Sequence, residues 1–118
     1  MSETRKDLAA LTCVPCRGGT PPLEVLRVNE LMKAVPGWTL KKDVVDKIER
    51  MYKFKNFKKA MKFVNKVAEI ANEQDHHPDI LIHWNEVTLT FWTHAINGLY
   101  DNDFIMAAKV DEVLDQQS

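Results

Sequence analysis

The chain has 118 residues, 45% hydrophobic and 28% charged, which is enough for one ordinary hydrophobic core and too little for two independent ones. Sixteen lysine and arginine residues against seventeen aspartate and glutamate residues leave a formal net charge of -1, too small to direct the protein toward nucleic acid or an acidic membrane surface. The sequence has neither an apolar run of about 18 residues, as a membrane span requires, nor an apolar stretch after its polar start that resembles a signal peptide. We therefore expect one cytoplasmic domain, residues 1–118, with no nucleic-acid or membrane partner.

Residues 1–21 have the composition of a flexible N-terminal arm that ends in the turn sequence "GGTPP". They contain both cysteines of the chain, Cys13 and Cys16, as a single CxxC motif. A structural zinc ion takes four ligands and the sequence offers no second CxxC, while a redox motif is expected at a strand-to-helix junction. Two reduced thiols in a loop are therefore the favoured interpretation.

The first regular elements follow this arm. Apolar residues at three- and four-residue steps predict a helix over Leu23–Val35, ended by the turn sequence "PGW". Between Trp38 and Phe54 apolar residues recur at even positions, which is typical of two strands joined through "KKDV" in a hairpin. Helical spacing returns from Asn56 to Ala71 and gives the clearest helix of the chain.

Four lysines on other faces of that helix could suggest a nucleic-acid patch: Lys58, Lys59, Lys62 and Lys66. A solvated helical face is the better interpretation, because the whole chain is slightly acidic and no aromatic platform alternates with the lysines.

The second half of the chain predicts another hairpin and a final helix. "DILIHW" and "EVTLTFWTH" alternate as two strands that turn at Asn85 and Glu86, and the last strand reaches His94. "NDFIMAAKVDEVLDQQ" has helical spacing, and its start could be capped by Asp101, Asn102 or Asp103. The order α-β-β-α-β-β-α predicts an α+β fold in which three helices cover one face of a four-stranded antiparallel sheet.

All four histidines fall between Asn72 and His94. His76 and His77 follow the long helix, and Pro78 favours an extended backbone at His77, so the two rings should point in different directions. In a sheet of two hairpins, the loop before one strand lies close to the end of its antiparallel neighbour. We therefore expect His76, His77 and His94 to line one pocket.

Three chemistries are open to such a group. Metal ligation would need further donors, such as Asp75 or Asp103, and adjacent histidines rarely direct both rings at one ion. Nucleophilic catalysis lacks a serine or cysteine partner in this region. Acid and base catalysis suits imidazole, whose ordinary pKa of about 6.5 lets one ring donate and another accept a proton at neutral pH. A single histidine more often caps a helix or satisfies backbone groups, and the convergence of three favours a site.

The spacing of His76-His77-Pro78, Trp84, His94 and Asp103 closely resembles the signature of the pterin-4a-carbinolamine dehydratases. The resemblance extends from "PPLEVLRVNELMKAVPGW" through "THAINGLYDND". It implies dehydration of 4a-hydroxytetrahydrobiopterin to quinonoid dihydropterin, with no metal and no separate cofactor. That reaction recycles the pterin used by aromatic amino-acid hydroxylases, so a hydroxylase is the expected pathway partner.

Carried over by position, the resemblance assigns His76 and His94 as the acid and base pair, and His77 as the residue that holds and orients the pterin. Trp84 is expected to pack at the edge of the substrate site. Asp103 is expected to orient His94 or to cap the last helix.

One position departs from the family. Four residues before His76 the family usually carries a charged, often acidic residue, and this chain has Asn72. An asparagine there could keep a hydrogen bond to a histidine but not the charge. His83 alternates on a predicted strand and matches no family role, so we expect it at the surface or in packing.

The resemblance leaves two other functions open. Mammalian relatives also act as dimerisation cofactors of a homeodomain transcription factor, through the helical face that otherwise builds the enzyme tetramer, so a protein-binding module is one. A pterin enzyme serving molybdopterin metabolism is the other. The family assembles through edge strands and helices, and the resemblance therefore implies a homodimer or a homotetramer.

Overall fold

The computed structural model describes residues 4–15 and 18–117. Within these ranges the chain order is α1 (Arg5–Ala9), α2 (Val25–Ala34), β1 (Thr39–Lys41), β2 (Lys47–Lys53), α3 (Phe57–Gln74), β3 (Asp79–His83), β4 (Glu86–Phe91) and α4 (Asp101–Gln117). The predicted α+β class and the alternation of helices and hairpins are confirmed, and α1 is an additional element before them. No helix in the described part of the chain is both long and apolar enough to cross a membrane.

The sheet has the strand order β1-β2-β4-β3, and all neighbouring strands are antiparallel. Along β4 the side chains of Val87, Leu89 and Phe91 are buried and the intervening residues are partly exposed. This alternation agrees with helices on one face of the sheet. Because Asp79 of β3 lies opposite Thr90 of β4, the segment before β3 and the segment after β4 meet at one end of the sheet.

The helix α3 positions the residues that precede β3. Asn56 caps its start by accepting a hydrogen bond from the Lys59 N–H at 2.9 Å. At its end Asp75 has a left-handed backbone (φ 53°), and the His76 N–H donates to the Ala71 carbonyl at 3.1 Å. This termination fixes the direction in which His76 leaves the helix.

The predicted turn of the second hairpin is wrong by one residue. The turn lies at Trp84 and Asn85, with Trp84 in the left-handed region (φ 50°), and β4 already begins at Glu86. The physical reason is a contact across the sheet: the Asn85 side chain donates to the Phe54 carbonyl at 2.8 Å, and the Phe54 N–H donates to the Asn85 carbonyl at 2.8 Å. These bonds hold Asn85 inside the turn.

The prediction that the last strand reaches His94 is also wrong. β4 ends at Phe91, and His94 begins a short 3₁₀ helix, His94–Ile96. The Thr93 N–H donates to the Gly98 carbonyl at 2.8 Å, which closes the chain into a loop directly after the strand. The alternation of apolar and polar residues continues to Trp92 in the sequence, but the backbone leaves the sheet after Phe91.

Part of the predicted N-terminal arm is folded. The helix α1 begins with a capping box between Thr4 and Asp7, and its Leu8 side chain is buried in the core. Arg5 forms ion pairs with two carboxylates of α4. One buried side chain in five residues leaves no periodic pattern, which is why the sequence did not indicate this helix. Cys16 lies outside the described residues, so the interpretation of the CxxC motif stays a prediction.

A buried carboxylate joins α4 to the first hairpin. Asp111 accepts hydrogen bonds from the Tyr52 hydroxyl at 2.6 Å, the Trp38 indole N–H at 3.0 Å and the Arg50 guanidinium at 3.0 Å. Burial, together with the Asp111 charge, raises the pKa of Tyr52 far above its ordinary value, so the phenol keeps its proton and donates. The three donors satisfy a charge that would otherwise be costly to bury.

Asp111→Ala should lower the free energy of unfolding by about 3 kcal/mol, because it leaves three donors without their acceptor, one of them a charged guanidinium. Urea unfolding followed by circular dichroism measures this change. Asp43 lies exposed in the loop between β1 and β2 and gives a matched control, since Asp43→Ala should change the free energy by less than about 0.5 kcal/mol. Equal losses in the two variants would contradict the stabilising role of Asp111.

Candidate active site

A cavity of about 420 Å³ opens where the segment between α3 and β3 meets the segment after β4. His76, His77 and His94 all line it. The structure therefore places the three histidines around one cavity, as expected from the antiparallel pairing of β3 and β4. The volume falls within the range of about 300–1,000 Å³ that is usual for small-molecule sites.

His76 is held by a buried carboxylate. Its Nε2 lies 2.6 Å from Oδ1 of Asp103, which is fully buried, and its ring lies parallel to the ring of Phe91 with 6.2 Å between centroids. When the imidazole is neutral, the carboxylate contact keeps the hydrogen on Nε2 and leaves Nδ1 as the acceptor.

The second oxygen of Asp103 fixes the loop around the site. Oδ2 accepts from the Thr93 hydroxyl at 2.8 Å and from the Tyr100 N–H at 3.0 Å, directly before the start of α4. Of the two roles expected for Asp103, the contact with His94 is not found, because the carboxylate reaches His76 instead. The capping contact at the start of α4 is present.

His77 is exposed and has a different partner. Its Nε2 lies 3.0 Å from the side-chain oxygen of Asn72, which belongs to the last turn of α3. Asn72 thus supplies a hydrogen bond at the position where the resemblance led us to expect a charged residue. As an acceptor, the Asn72 oxygen keeps a hydrogen on Nε2, and Nδ1 is left for a ligand.

The ring of His94 contacts an aromatic side chain. The His94 and Trp92 ring centroids lie 4.0 Å apart with 37° between the ring planes, and Trp92 also lines the cavity. The Lys47 ammonium lies 4.3 Å from the centroid of the Trp92 ring. The sequence placed Trp92 on a strand face and did not indicate its contact with the site.

The N-terminal segment forms a wall of the cavity that the sequence did not predict. Val14 and Pro15 line the cavity. The Asn102 side chain accepts from the Val14 N–H at 3.0 Å and donates to the Val14 carbonyl at 2.6 Å. Gln74 accepts from the Cys13 N–H at 2.9 Å. These bonds place backbone of the predicted arm against the site.

Two residues considered in the sequence lie elsewhere. Trp84 occupies the hairpin turn at the opposite end of β3 from His77, with 62% of its surface exposed, and it does not line the cavity within a single chain. His83 is exposed at the same end, and its Nδ1 lies 3.3 Å from a Glu86 oxygen. Trp84 therefore lies away from the cavity of its own chain, and its assignment to the substrate site stays a prediction.

The lining of the cavity also contains two carboxylates, Asp75 and Asp79. Among residues 4–15 and 18–117, no group of three or more histidine, cysteine, aspartate or glutamate side chains is arranged to hold a metal ion. The cavity combines imidazoles that can donate or accept protons with oxygens that can bind the N–H groups of a polar ligand. An α+β fold with a group of histidines at one end of its sheet defines a protein whose site is suited to acid and base chemistry on a small molecule.

Comparison with known proteins agrees with this class. The model of the pterin 4 alpha carbinolamine dehydratase family matches residues 21–113. The crystal structure of a transcriptional coactivator/pterin dehydratase from Brucella melitensis has 36% sequence identity and a TM-score of 0.73, covering 78% of this chain and 97% of that chain. The chain belongs to the pterin 4 alpha carbinolamine dehydratase family, and the resemblance seen in the sequence is confirmed.

The hydrogen bonds predict the tautomers of two histidines. In their neutral form, His76 and His77 should both carry their hydrogen on Nε2. Long-range ¹H–¹⁵N correlation spectra of the imidazole rings distinguish the two tautomers. Asp103→Ala should convert His76 to a mixture and leave the signals of His83 unchanged. Hydrogen on Nδ1 of His76 in the unsubstituted protein would contradict the Asp103 contact.

Proposed function

We propose that this protein is a hydro-lyase that removes water from 4a-hydroxytetrahydrobiopterin and releases quinonoid dihydropterin by histidine acid and base catalysis. The observation that carries the proposal is the convergence of three histidines on one cavity in a chain of the pterin 4 alpha carbinolamine dehydratase family. In this proposal the product is reduced again, and the cycle serves an aromatic amino-acid hydroxylase.

The reaction needs two proton transfers and no change of oxidation state. A proton reaches the oxygen on C4a, the C4a–O bond breaks with both electrons going to oxygen, and water leaves. A proton is lost from N5 as the C4a–N5 double bond forms. One donor and one acceptor on the two sides of the reacting centre therefore suffice, and the protons balance over the cycle.

The contacts of the histidines support a division of roles. A buried carboxylate holds His76 in place. In the described part of the chain, neither ring nitrogen of His94 has a hydrogen-bond partner, so both can exchange protons. In this proposal His76 and His94 are the acid and base pair. His77 is exposed, tied to Asn72, and serves to hold and orient the pterin. Asp103 acts through His76, which it orients.

The function is tested by a dehydratase assay on enzymatically generated 4a-hydroxytetrahydropterin. The purified protein should accelerate loss of water, and treatment with a chelator, followed by metal analysis, should leave the rate unchanged. An inactive, folded protein would overturn the proposed function. A stoichiometric metal whose removal abolishes turnover would overturn the histidine mechanism alone.

The roles of the histidines predict different kinetic effects. His76→Ala and His94→Ala should each lower kcat by a factor on the order of 10²–10⁴, the usual contribution of a positioned acid or base, with smaller effects on KM. His77→Ala should raise KM more than it lowers kcat, because it removes a contact present in both ground and transition states. His83→Ala is the matched control and should retain the kinetics of the unsubstituted protein. A loss in His83→Ala equal to that in His94→Ala would contradict the assignment.

We further propose that the protein forms a homodimer through the free edge of β3. All five residues of this strand are exposed, including Ile80, Leu81 and Ile82, and the strand lies at the edge of the sheet. Antiparallel pairing of two copies centred on Leu81 would place Asp79 of each copy opposite His83 of the other, which are complementary groups.

Light scattering at micromolar concentration should give twice the chain mass of 13.6 kDa. Leu81→Lys should give a folded monomer, because an added charge at the centre of the pair opposes edge-to-edge pairing. Met51→Lys, an exposed residue of β2 on the open face of the sheet, is the matched control and should remain dimeric. A monomeric unsubstituted protein, or a dimer of Leu81→Lys, would count against this interface.

A further inference from the structure

The three histidines of the cavity are held in three different ways. His76 has the Asp103 carboxylate and His77 has the Asn72 amide oxygen as hydrogen-bond acceptor. Within the described part of the chain, the ring nitrogens of His94 have no hydrogen-bond partner, and its ring contact is with the Trp92 indole. His94 is exposed and stands at the start of a single 3₁₀ turn, so its backbone alone leaves the ring free to rotate.

We propose that Trp92 is the positioning residue of His94, and that it orients the imidazole by contact with the indole ring, without a hydrogen bond. This inference rests on the proposed acid and base role of His94. The family resemblance assigned no role to Trp92. In this proposal Trp92 orients His94, as Asp103 orients His76.

The contacts of Trp92 make it suitable for this role. Its side chain is half-buried and packs against the core, so the indole is itself held in place. The register of β2 and β4 pairs Ile48 with Phe91, which makes Lys47 and Trp92 the next neighbours across the two strands. The Lys47 ammonium lies 4.3 Å from the centroid of the indole ring, within the range of a cation–π contact. The His94 ring therefore contacts a side chain whose position is fixed by packing against the core and by Lys47 of the adjacent strand.

A contact through the ring has a chemical consequence that a carboxylate contact lacks. A carboxylate occupies one imidazole nitrogen, as Asp103 does with Nε2 of His76. An aromatic face restrains the ring plane by van der Waals and quadrupole interactions and leaves both nitrogens available. His94 can therefore receive a proton on one nitrogen and deliver it from either, which suits the member of the pair that exchanges protons with solvent between turnovers.

The competing role for Trp92 is a stacking platform for the pterin itself. The two roles predict opposite kinetic changes. Loss of a positioning residue lowers kcat, because a displaced acid or base loses alignment with the reacting atom, whereas loss of a stacking platform weakens binding of ground and transition states alike. The ring of Trp92 already contacts the ring of His94, which favours the positioning role.

The test is a graded series at this position. Trp92→Leu keeps apolar volume without an aromatic face and should lower kcat by a factor on the order of 10–10², with KM changed by less than about threefold. Trp92→Phe restores an aromatic face and should recover most of the lost kcat. Met51→Ala removes an exposed apolar side chain of the same sheet and should leave both constants unchanged. Thermal unfolding monitored by circular dichroism must show that all variants are folded.

A spectroscopic measurement separates this inference from the proposed function. The carbon-bound ring protons of His94 should show upfield ring-current shifts in the unsubstituted protein, which disappear in Trp92→Leu and persist in part in Trp92→Phe. This readout holds even if the protein lacks dehydratase activity. Unshifted His94 signals, or a Trp92→Leu variant whose main defect is a raised KM, would overturn the positioning role.

Discussion

The Asp103 carboxylate, shielded completely from solvent, connects the loop before β3 to the chain between β4 and α4. It accepts hydrogen bonds from His76 before β3, from Thr93 after β4 and from the backbone at the start of α4. A buried charge is tolerated only where donors converge on it, so these segments must meet whenever the carboxylate is buried. The position of His76 in the cavity is therefore tied to the packing of the last helix.

The same helix carries a second buried carboxylate, Asp111, eight residues later and about 12 Å further along its axis. Asp103 fastens the helix to the end of the sheet that bears the cavity, and Asp111 fastens it to the first hairpin through Tyr52, Trp38 and Arg50. Two directional contacts at a fixed separation determine both the rotation and the position of a helix along its axis, which apolar contacts alone do not. The helix that supports the site therefore cannot move along its axis without leaving a buried carboxylate without its hydrogen-bond donors.

The parts of the fold that were predictable from the sequence are those set by local periodicity. The α3 helix and the two hairpins followed from spacing, and the pairing of adjacent strands then brought His76, His77 and His94 to one end of the sheet. Contacts between distant residues were not predictable. The Asn85 to Phe54 bonds moved a turn by one residue, and nothing in the spacing indicated that Asp103 would select His76 over His94. Trp92 continued a strand pattern, so its sequence context gave no sign that the chain would turn and place His94 against its ring.

The wall formed by Val14 and Pro15 precedes the segment that matches the family, which begins at residue 21. The side chains of Asn102 and Gln74 attach it to the cavity by binding the backbone of Val14 and Cys13, and the Cys13 thiol also contacts the Asn102 carbonyl. The hydrogen bonds at Val14 therefore do not depend on the side chain at that position. Substitutions in this segment can therefore change the shape of the cavity while the strands and the histidines keep their places. The selectivity of the site can diversify in one short stretch of chain without passing through a destabilised fold, and that stretch is the natural place to begin a library of altered ligand preference.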